Sequence, residues 1–133
     1  MIECVRMARL DGYTILIVDD DEDILASMEL AMRAEGASTL TAEDGTQAVS
    51  ECINGAPDAV ILDMMLPKRS GFLVLEEIQS LPNPPIVVMV TANEGKRHMA
   101  YATALGVQAY LIKPVGLDRL IDTVCNLLEK EHS

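Results

Sequence analysis

The chain has 133 residues, half of them hydrophobic, which fits one domain of ordinary size and is too apolar for a disordered segment. Its 10 basic and 21 acidic residues give a formal net charge of -11, which would repel a nucleic-acid backbone, so we expect no direct nucleic-acid binding. No run approaches the ~18 apolar residues of a membrane span, and the first residues lack a signal-peptide core. We therefore expect a cytoplasmic protein without a membrane segment.

The first half of the chain contains two strand-and-helix pairs. An apolar run at Tyr13–Val18 predicts a strand buried on both faces, because its apolar residues do not alternate with polar ones. Apolar residues at helical spacing follow, and this first helix is predicted to end at Gly36, where a left-handed residue is expected. The weaker segment Ser38–Ala42 predicts an edge strand. Asp44 then opens a capping-box pattern for a second helix, which Gly55 closes.

The second half repeats this alternation three times. Apolar runs predict strands at Ala59–Leu62, Pro85–Val90 and Ala109–Ile112. The third helix is predicted from about Gly71 to Ser80, and Asn93 is a candidate cap for a weakly amphipathic fourth helix that ends near Gly106. The fifth helix has an apolar stripe formed by Leu117, Leu120, Ile121, Val124 and Leu128.

The strict alternation of strands and helices predicts the fold. Short connections between successive units imply right-handed crossovers, and hence an α/β doubly wound parallel sheet with five strands and five helices. We expect this domain to span residues 13–130, with an N-terminal extension at 1–12 and a C-terminal tail at 131–133. Ligands of such folds bind outside the carboxyl ends of the strands, so the functional site is expected there.

Polar side chains stand where the predicted strands end. Asp19 and Asp20 follow the first strand, Asp63 the third, Thr91 the fourth and Lys113 the fifth. Carboxylates gathered at one edge repel one another, and a hard cation that prefers oxygen ligands relieves the repulsion. The sequence therefore predicts a site for Mg²⁺, or for Mn²⁺ in its place, with Asp20 as a direct ligand and Asp19 binding directly or through water.

Asp63 is the predicted phosphoryl acceptor, because it stands alone at the end of the central strand. A carboxylate can attack an activated phosphoryl group when charge is neutralised nearby, since phosphoryl transfer depends mainly on positioning and electrostatics. The Thr91 hydroxyl can donate a hydrogen bond to one phosphoryl oxygen, and Lys113 can place its positive charge beside another. Asp21 and the two acidic residues after it are interpreted as a helix cap and first turn.

Four motifs in this order resemble the receiver domain of response regulators in two-component signalling systems. They are ILIVDDDEDIL at Ile15–Leu25, AVILDMMLPKRSG at Ala59–Gly71, VTA at Val90–Ala92 and AYLIKP at Ala109–Pro114. The resemblance covers roughly Tyr13 to Lys130, and the spacing of four separate motifs makes it specific. It implies a flavodoxin-like strand order of 2-1-3-4-5.

The resemblance also implies the partners and the remaining site residues. Asp63 would be phosphorylated by a sensor histidine kinase or a histidine phosphotransfer protein, and the backbone carbonyl of Met65 would be a metal ligand. The Lys113–Pro114 peptide bond would be cis. Thr91 and Tyr110 would form a switch pair, and the fourth helix, fifth strand and fifth helix a face read by an unknown protein target. The protein would be a monomer or a dimer that forms on phosphorylation.

Two departures from the family pattern bear on function. Val115 stands where an aromatic residue is common, so packing at the start of the last helix is expected to differ. Met65 and Asn93 occupy positions that influence phosphoryl lifetime in the family, and neither an apolar side chain nor an amide is a general base for water. We therefore expect autodephosphorylation, the only enzymatic activity anticipated, to be slow.

Three other functions fit parts of the pattern. A pseudo-receiver would bind partners without phosphorylation, but it would need none of the Asp, Thr and Lys residues kept here. A phosphatase resembling the haloacid dehalogenases uses an Asp-x-Asp pair, whereas Met65 stands two residues beyond Asp63. A flavin protein would need small residues and free N–H groups where the first strand is followed by aspartates.

Overall fold

The computed structural model describes residues 8–92 and 95–131, and within them five strands alternate with five helices. The strands are β1 (Thr14–Val18), β2 (Ser38–Ala42), β3 (Ala59–Leu62), β4 (Ile86–Thr91) and β5 (Ala109–Ile112). The helices are α1 (Glu22–Ala34), α2 (Gly45–Gly55), α3 (Gly71–Gln79), α4 (Lys96–Ala104) and α5 (Leu117–Glu131). No helix in these two ranges is both long and apolar enough to span a membrane.

All strand pairs are parallel, and the sheet order is β2-β1-β3-β4-β5. The predicted doubly wound fold and its strand order are therefore confirmed. β4 begins at Ile86, one residue later than expected, because Pro85 has no N–H to donate to the sheet. The Ile86 N–H donates instead to the carbonyl of Asp58 at 3.1 Å.

The two faces of the sheet contribute to two separate cores. Alternate residues of β1, such as Ile15 and Ile17, face a core shared with α1 and α5. Their neighbours Leu16 and Val18 face a core shared with α2, α3 and α4. This covering of both faces explains why the central strands are continuous apolar runs.

Side-chain caps set the starts of three helices. The carboxylates of Asp21 and Asp44 accept backbone N–H groups at the starts of α1 and α2, and the Ser70 hydroxyl does so for α3. Gly36 follows α1 with a φ of +95°, as predicted. The helix α4 begins after Gly95, with no side-chain cap. Asn93, the predicted cap, lies outside the described residues.

Residues before β1 also pack against the domain. Leu10 is fully buried in the core between α1 and α5, and its N–H donates to the carbonyl of Glu35 at 2.8 Å. Arg9 reaches α5, where its guanidinium donates to Asp122 at 2.9 Å and to Asn126 at 3.2 Å. Part of the predicted N-terminal extension therefore contributes side chains to the fold, a feature that the sequence analysis missed.

Candidate functional site

The strand ends bring three of the predicted site residues to one edge of the sheet. The backbone continues the sheet ladder there: the Asp63 N–H donates to the carbonyl of Val18 at 3.1 Å, and the Lys113 N–H to that of Thr91 at 2.8 Å. The Asp19 N–H donates to the carbonyl of Ala42 at 3.2 Å. Because the backbone of each residue is held by a neighbouring strand, their side chains start from fixed positions.

Lys113 joins the two buried carboxylates of the site. Its ammonium group donates to Asp19 Oδ2 at 2.8 Å and to Asp63 Oδ2 at 3.3 Å. Asp19 is 1% exposed and Asp63 is 5% exposed, so neither carboxylate is well hydrated. Buried charges at such positions need a counter-charge, which Lys113 provides for both. The direct contact of Lys113 with Asp19 was not anticipated from the sequence.

The electrostatics of the site follow from this burial. Burial raises the pKa of Asp63; the charge of Lys113 and the N–H of Met65 oppose the rise, and the charge of Asp19 adds to it. Burial alone would lower the pKa of Lys113, but the hydrogen bond to Asp19 and the charges of Asp63 and Asp19 outweigh it and raise the pKa above its ordinary value. The two carboxylates thus favour the charged form of the Lys113 side chain that lies between them.

The donor set suits a small, hard cation. One carboxylate oxygen each from Asp19, Asp20 and Asp63 lies within 4.8 Å of the others. Two oxygen ligands on opposite sides of Mg²⁺ are about 4.2 Å apart, so these residues need only a small approach to share an ion. Asp20 is exposed, which leaves the group open to solvent on one side. Three of the four predicted metal ligands, the carboxylates, thus lie together, and their chemistry fits Mg²⁺.

The loop after β3 is held tightly around Asp63. The Met65 N–H donates to Asp63 Oδ1 at 3.2 Å, and the Gly71 N–H donates to the carbonyl of Met64 at 2.7 Å. A Cβ atom at Gly71 would lie 2.5 Å from the Met64 Cα and 2.6 Å from the carbonyl oxygen of Asp63. Only glycine permits this approach, so Gly71 is a positioning residue that the sequence analysis quoted within a motif without recognising its role.

The two residues of the predicted switch pair lie near this edge, in different surroundings. Thr91 is fully buried at the end of β4. Tyr110 lies in β5 beside Met89 of β4, is partly buried, and packs against the core that α2, α3 and α4 share. Burial raises the pKa of its phenol. The Lys113–Pro114 peptide bond that follows β5 is cis.

An apolar cleft of about 680 Å³ opens beside Lys113, between α1 and the start of α5. Ile24 and Met28 of α1 line one side, and Val115 and Leu117 line the other. Val115, which replaces a common aromatic residue, is partly buried against the core. The cleft is therefore an apolar concavity that borders the candidate site.

Comparisons with known proteins agree with this geometry. The sequence profile described as the response regulator receiver domain matches residues 15–125. The transcriptional regulatory protein PrrA of Mycobacterium tuberculosis is 33% identical over 119 residues, which cover 90% of this chain and 51% of PrrA. The chain thus spans about half the length of this curated relative.

Solved structures show the same fold. The CheY-like receiver domain protein of Methanospirillum hungatei JF-1 is 27% identical with a TM-score of 0.87, over 92% of this chain and 97% of that one. The receiver domain of the sensor histidine kinase PA1611 of Pseudomonas aeruginosa PAO1 is 26% identical with a TM-score of 0.81, over 89% and 98%. That structure contains a magnesium ion coordinated in its active site cleft.

Proposed function

This chain belongs to the response regulator receiver domain family, and we propose that it is a signalling switch that accepts a phosphoryl group on Asp63 in a reaction that requires Mg²⁺. Domains of this family are switches rather than classical enzymes. The observation that carries the proposal is the position of Lys113, which contacts both Asp19 and Asp63 while Asp20 lies beside them. At this edge of the sheet, the proposed acceptor Asp63 therefore has a cation and further carboxylate oxygens beside it.

The proposed metal ligands are Asp20, Asp63 and the backbone carbonyl of Met65, with Asp19 binding directly or through water. Mg²⁺ is the expected ion, and Mn²⁺ can take its place because it accepts the same oxygen ligands. A bound ion would supply charge neutralisation for the phosphoryl oxygens. The oxygen-only donor set around Asp63 supports this assignment.

In the proposed transfer the chain's own residues have the following roles. An oxygen of Asp63 forms a bond to phosphorus while the bond from phosphorus to the donor's histidine nitrogen breaks, and the electron pair stays on that nitrogen. Lys113 shifts its contact from Asp63 to a phosphoryl oxygen and keeps its bond to Asp19. The Thr91 hydroxyl donates a hydrogen bond to a second phosphoryl oxygen. Tyr110 turns inward as Thr91 moves. In this account the contacts of Lys113 in the structure are those of the unphosphorylated state.

The proposed donor is a sensor histidine kinase or a histidine phosphotransfer protein. The apolar cleft beside Lys113 is consistent with a protein donor, because it offers apolar surface for contact next to the proposed acceptor. The net charge of -11 opposes direct contact of this domain with DNA, although relatives such as PrrA are transcriptional regulators. We therefore propose that the signal leaves the domain through protein contacts.

The proposed phosphoryl group is lost slowly. Met65 has an exposed apolar side chain and cannot orient water as a base, while Asn93, the second residue of this argument, lies outside the described residues. A half-life of minutes or longer is expected for purified phosphoprotein in Mg²⁺, and Met65→Glu, which adds a carboxylate that can act as a base for water, should shorten it. Hydrolysis within seconds in the unaltered chain would contradict slow loss without contradicting phosphorylation.

Beryllofluoride, a stable mimic of a bound phosphoryl group, tests the switch. With Mg²⁺ it should shift the backbone NMR signals of Asp63, Thr91 and Lys113 saturably, and Asp63→Asn should abolish these shifts. Asp11→Asn, which removes an exposed carboxylate before β1, is the matched control and should leave them intact. Absence of Mg²⁺-dependent shifts would favour the pseudo-receiver, and multiple turnover of phosphomonoesters would favour the phosphatase.

A further inference from the structure

An aromatic cluster joins α3 and α4 at the surface. Phe72 of α3 stacks on His98 of α4, with ring centroids 5.8 Å apart and an interplanar angle of 9°. Phe72 also meets Tyr101 edge-on, with centroids 4.9 Å apart. The chain has only one Phe, three Tyr and no Trp, so two of its four aromatic residues are placed in this cluster. Tyr101 is nevertheless 47% exposed, which leaves much of its ring available for contact.

Basic residues lie directly beside this cluster. Lys96 and Arg97 form the first turn of α4, are exposed, and make no ion pair or hydrogen bond among the residues that the structure describes. Arg97 and Tyr101 are four residues apart on one helix and therefore lie on the same face. Arg97 and the cluster therefore share one face of α4, and Lys96 precedes Arg97 in the same turn, about 100° around the helix axis. We call Phe72, Lys96, Arg97, His98 and Tyr101 together the α3–α4 surface.

The positions of these two cations oppose the usual charge preference at the start of a helix. Positive charge at a helix N-terminus opposes the helix dipole, and the first turn of α4 contains no acidic residue to offset it. Most of the other basic side chains that the structure describes are paired, for example Arg33 with Glu29 and Arg69 with Glu77. Residues that oppose the local charge preference of a helix and have no ion-pair partner within the chain are expected at functional sites. Because neither Lys96 nor Arg97 has an ion-pair partner among the described residues, both side chains are available to a partner molecule.

We propose that the α3–α4 surface binds an acidic segment of a partner protein, which places a carboxylate on Lys96 or Arg97 and an apolar anchor against Phe72 and Tyr101. Aromatic and Arg residues are enriched where interfaces concentrate their binding energy, and both are present here. The nearby acid Glu76 accepts a hydrogen bond from the Tyr101 hydroxyl at 2.9 Å, so it fixes the ring's position from the α3 side. The binding does not require phosphorylation of Asp63.

The charge of the rest of the chain does not prevent this binding. The net charge of -11 repels an acidic segment at long range. At physiological salt, however, exposed charges are screened beyond about 8 Å, so local contacts with the two cations decide the outcome. Such electrostatic complementarity gives specificity, because the two cations favour a partner that is negatively charged at the contact.

The test is an NMR titration of the full chain at physiological salt with a synthetic peptide of sequence EEDFEELD. A control peptide has Gln in place of every Glu and Asn in place of every Asp, which removes the charge without making the peptide attractive to this acidic chain. The acidic peptide should shift signals of α4 and Phe72 saturably, and the control peptide should not. Arg97→Glu should weaken binding about tenfold or more. Arg119→Glu, which alters an exposed basic residue in the first turn of α5, should leave it within about twofold.

Further variants separate the apolar anchor from the charge and from the switch. Tyr101→Ala should weaken peptide binding, with Leu30→Ala on the exposed face of α1 as its control, and circular dichroism checks that both variants fold. Asp63→Asn should bind the peptide as the unaltered chain does. Failure of peptide binding can therefore be distinguished from failure of phosphorylation. Absence of shifts, equal binding of both peptides, or shifts spread over other basic residues would overturn the proposal. Concentration-dependent self-association that blocks the α4 shifts would instead identify a second copy as the occupant and overturn the partner assignment.

Discussion

Replacing Leu10 by Ala is expected to destabilise the domain substantially, although Leu10 precedes the first strand and lies outside the residues that the family profile matches. Its side chain is fully buried in the core between α1 and α5. Buried Leu→Ala changes cost about 2–5 kcal/mol, because apolar contact is lost and a cavity remains. For a chain of 133 residues each kcal/mol corresponds to about 4 °C, so the melting temperature should fall by roughly 8–20 °C.

Urea denaturation and calorimetry measure this change directly. Leu30→Ala is the matched control, because Leu30 is 71% exposed on α1 and its truncation should cost no more than about 0.5 kcal/mol. If Leu10→Ala lowers the free energy of unfolding by no more than Leu30→Ala does, the packing of the N-terminal segment is refuted. A large loss would place the start of the folding unit before residue 13.

Three other predictions concern the site and the core. Lys113→Ala leaves two buried carboxylates without their cation, so without metal it should lower the free energy of unfolding by about 1–3 kcal/mol. Added Mg²⁺ should restore part of that loss, and no rescue would count against the shared site. Gly71→Ala, whose Cβ would lie 2.6 Å from the carbonyl oxygen of Asp63, should cost about 1–3 kcal/mol and weaken Mg²⁺-dependent beryllofluoride binding. Gly116→Ala, where a Cβ meets nothing within 4 Å, should do neither. Burial raises the pKa of the Cys52 thiol to about 12, so in the folded protein at pH 8 it should react with iodoacetamide about a thousandfold more slowly than a free thiol, as peptide mapping by mass spectrometry would show.

The fold was largely predictable because its signals are local and repeated. The bounds of β3 and β5 match the apolar runs at Ala59–Leu62 and Ala109–Ile112, since each run stands between clear turn residues. The caps at Asp44 and Gly36 were also recognised, because a cap's chemistry lies within a few residues of the helix end. The strand order came from the resemblance, because the apolar pattern of parallel strands does not specify their neighbours.

Features that depend on tertiary contacts were harder to predict from the sequence. The sequence placed Asp19 and Lys113 at one edge, but it did not show that they form an ion pair at 2.8 Å. The burial of Leu10 was missed because a single Leu in a polar lead has no periodic pattern. Gly71 was missed as a positioning residue because the backbone that it approaches belongs to the loop after β3. The metal and switch roles of the site residues remain predictions.

Mass mapping of the chain after incubation with acetyl phosphate tests the central claim most directly. The account predicts one phosphoryl group per chain, located on Asp63, dependent on Mg²⁺, released by hydroxylamine and absent from Asp63→Asn. Asp11→Asn should be phosphorylated as the unaltered chain is. Failure to incorporate phosphate with Mg²⁺ present, or equal incorporation in Asp63→Asn, would contradict the account.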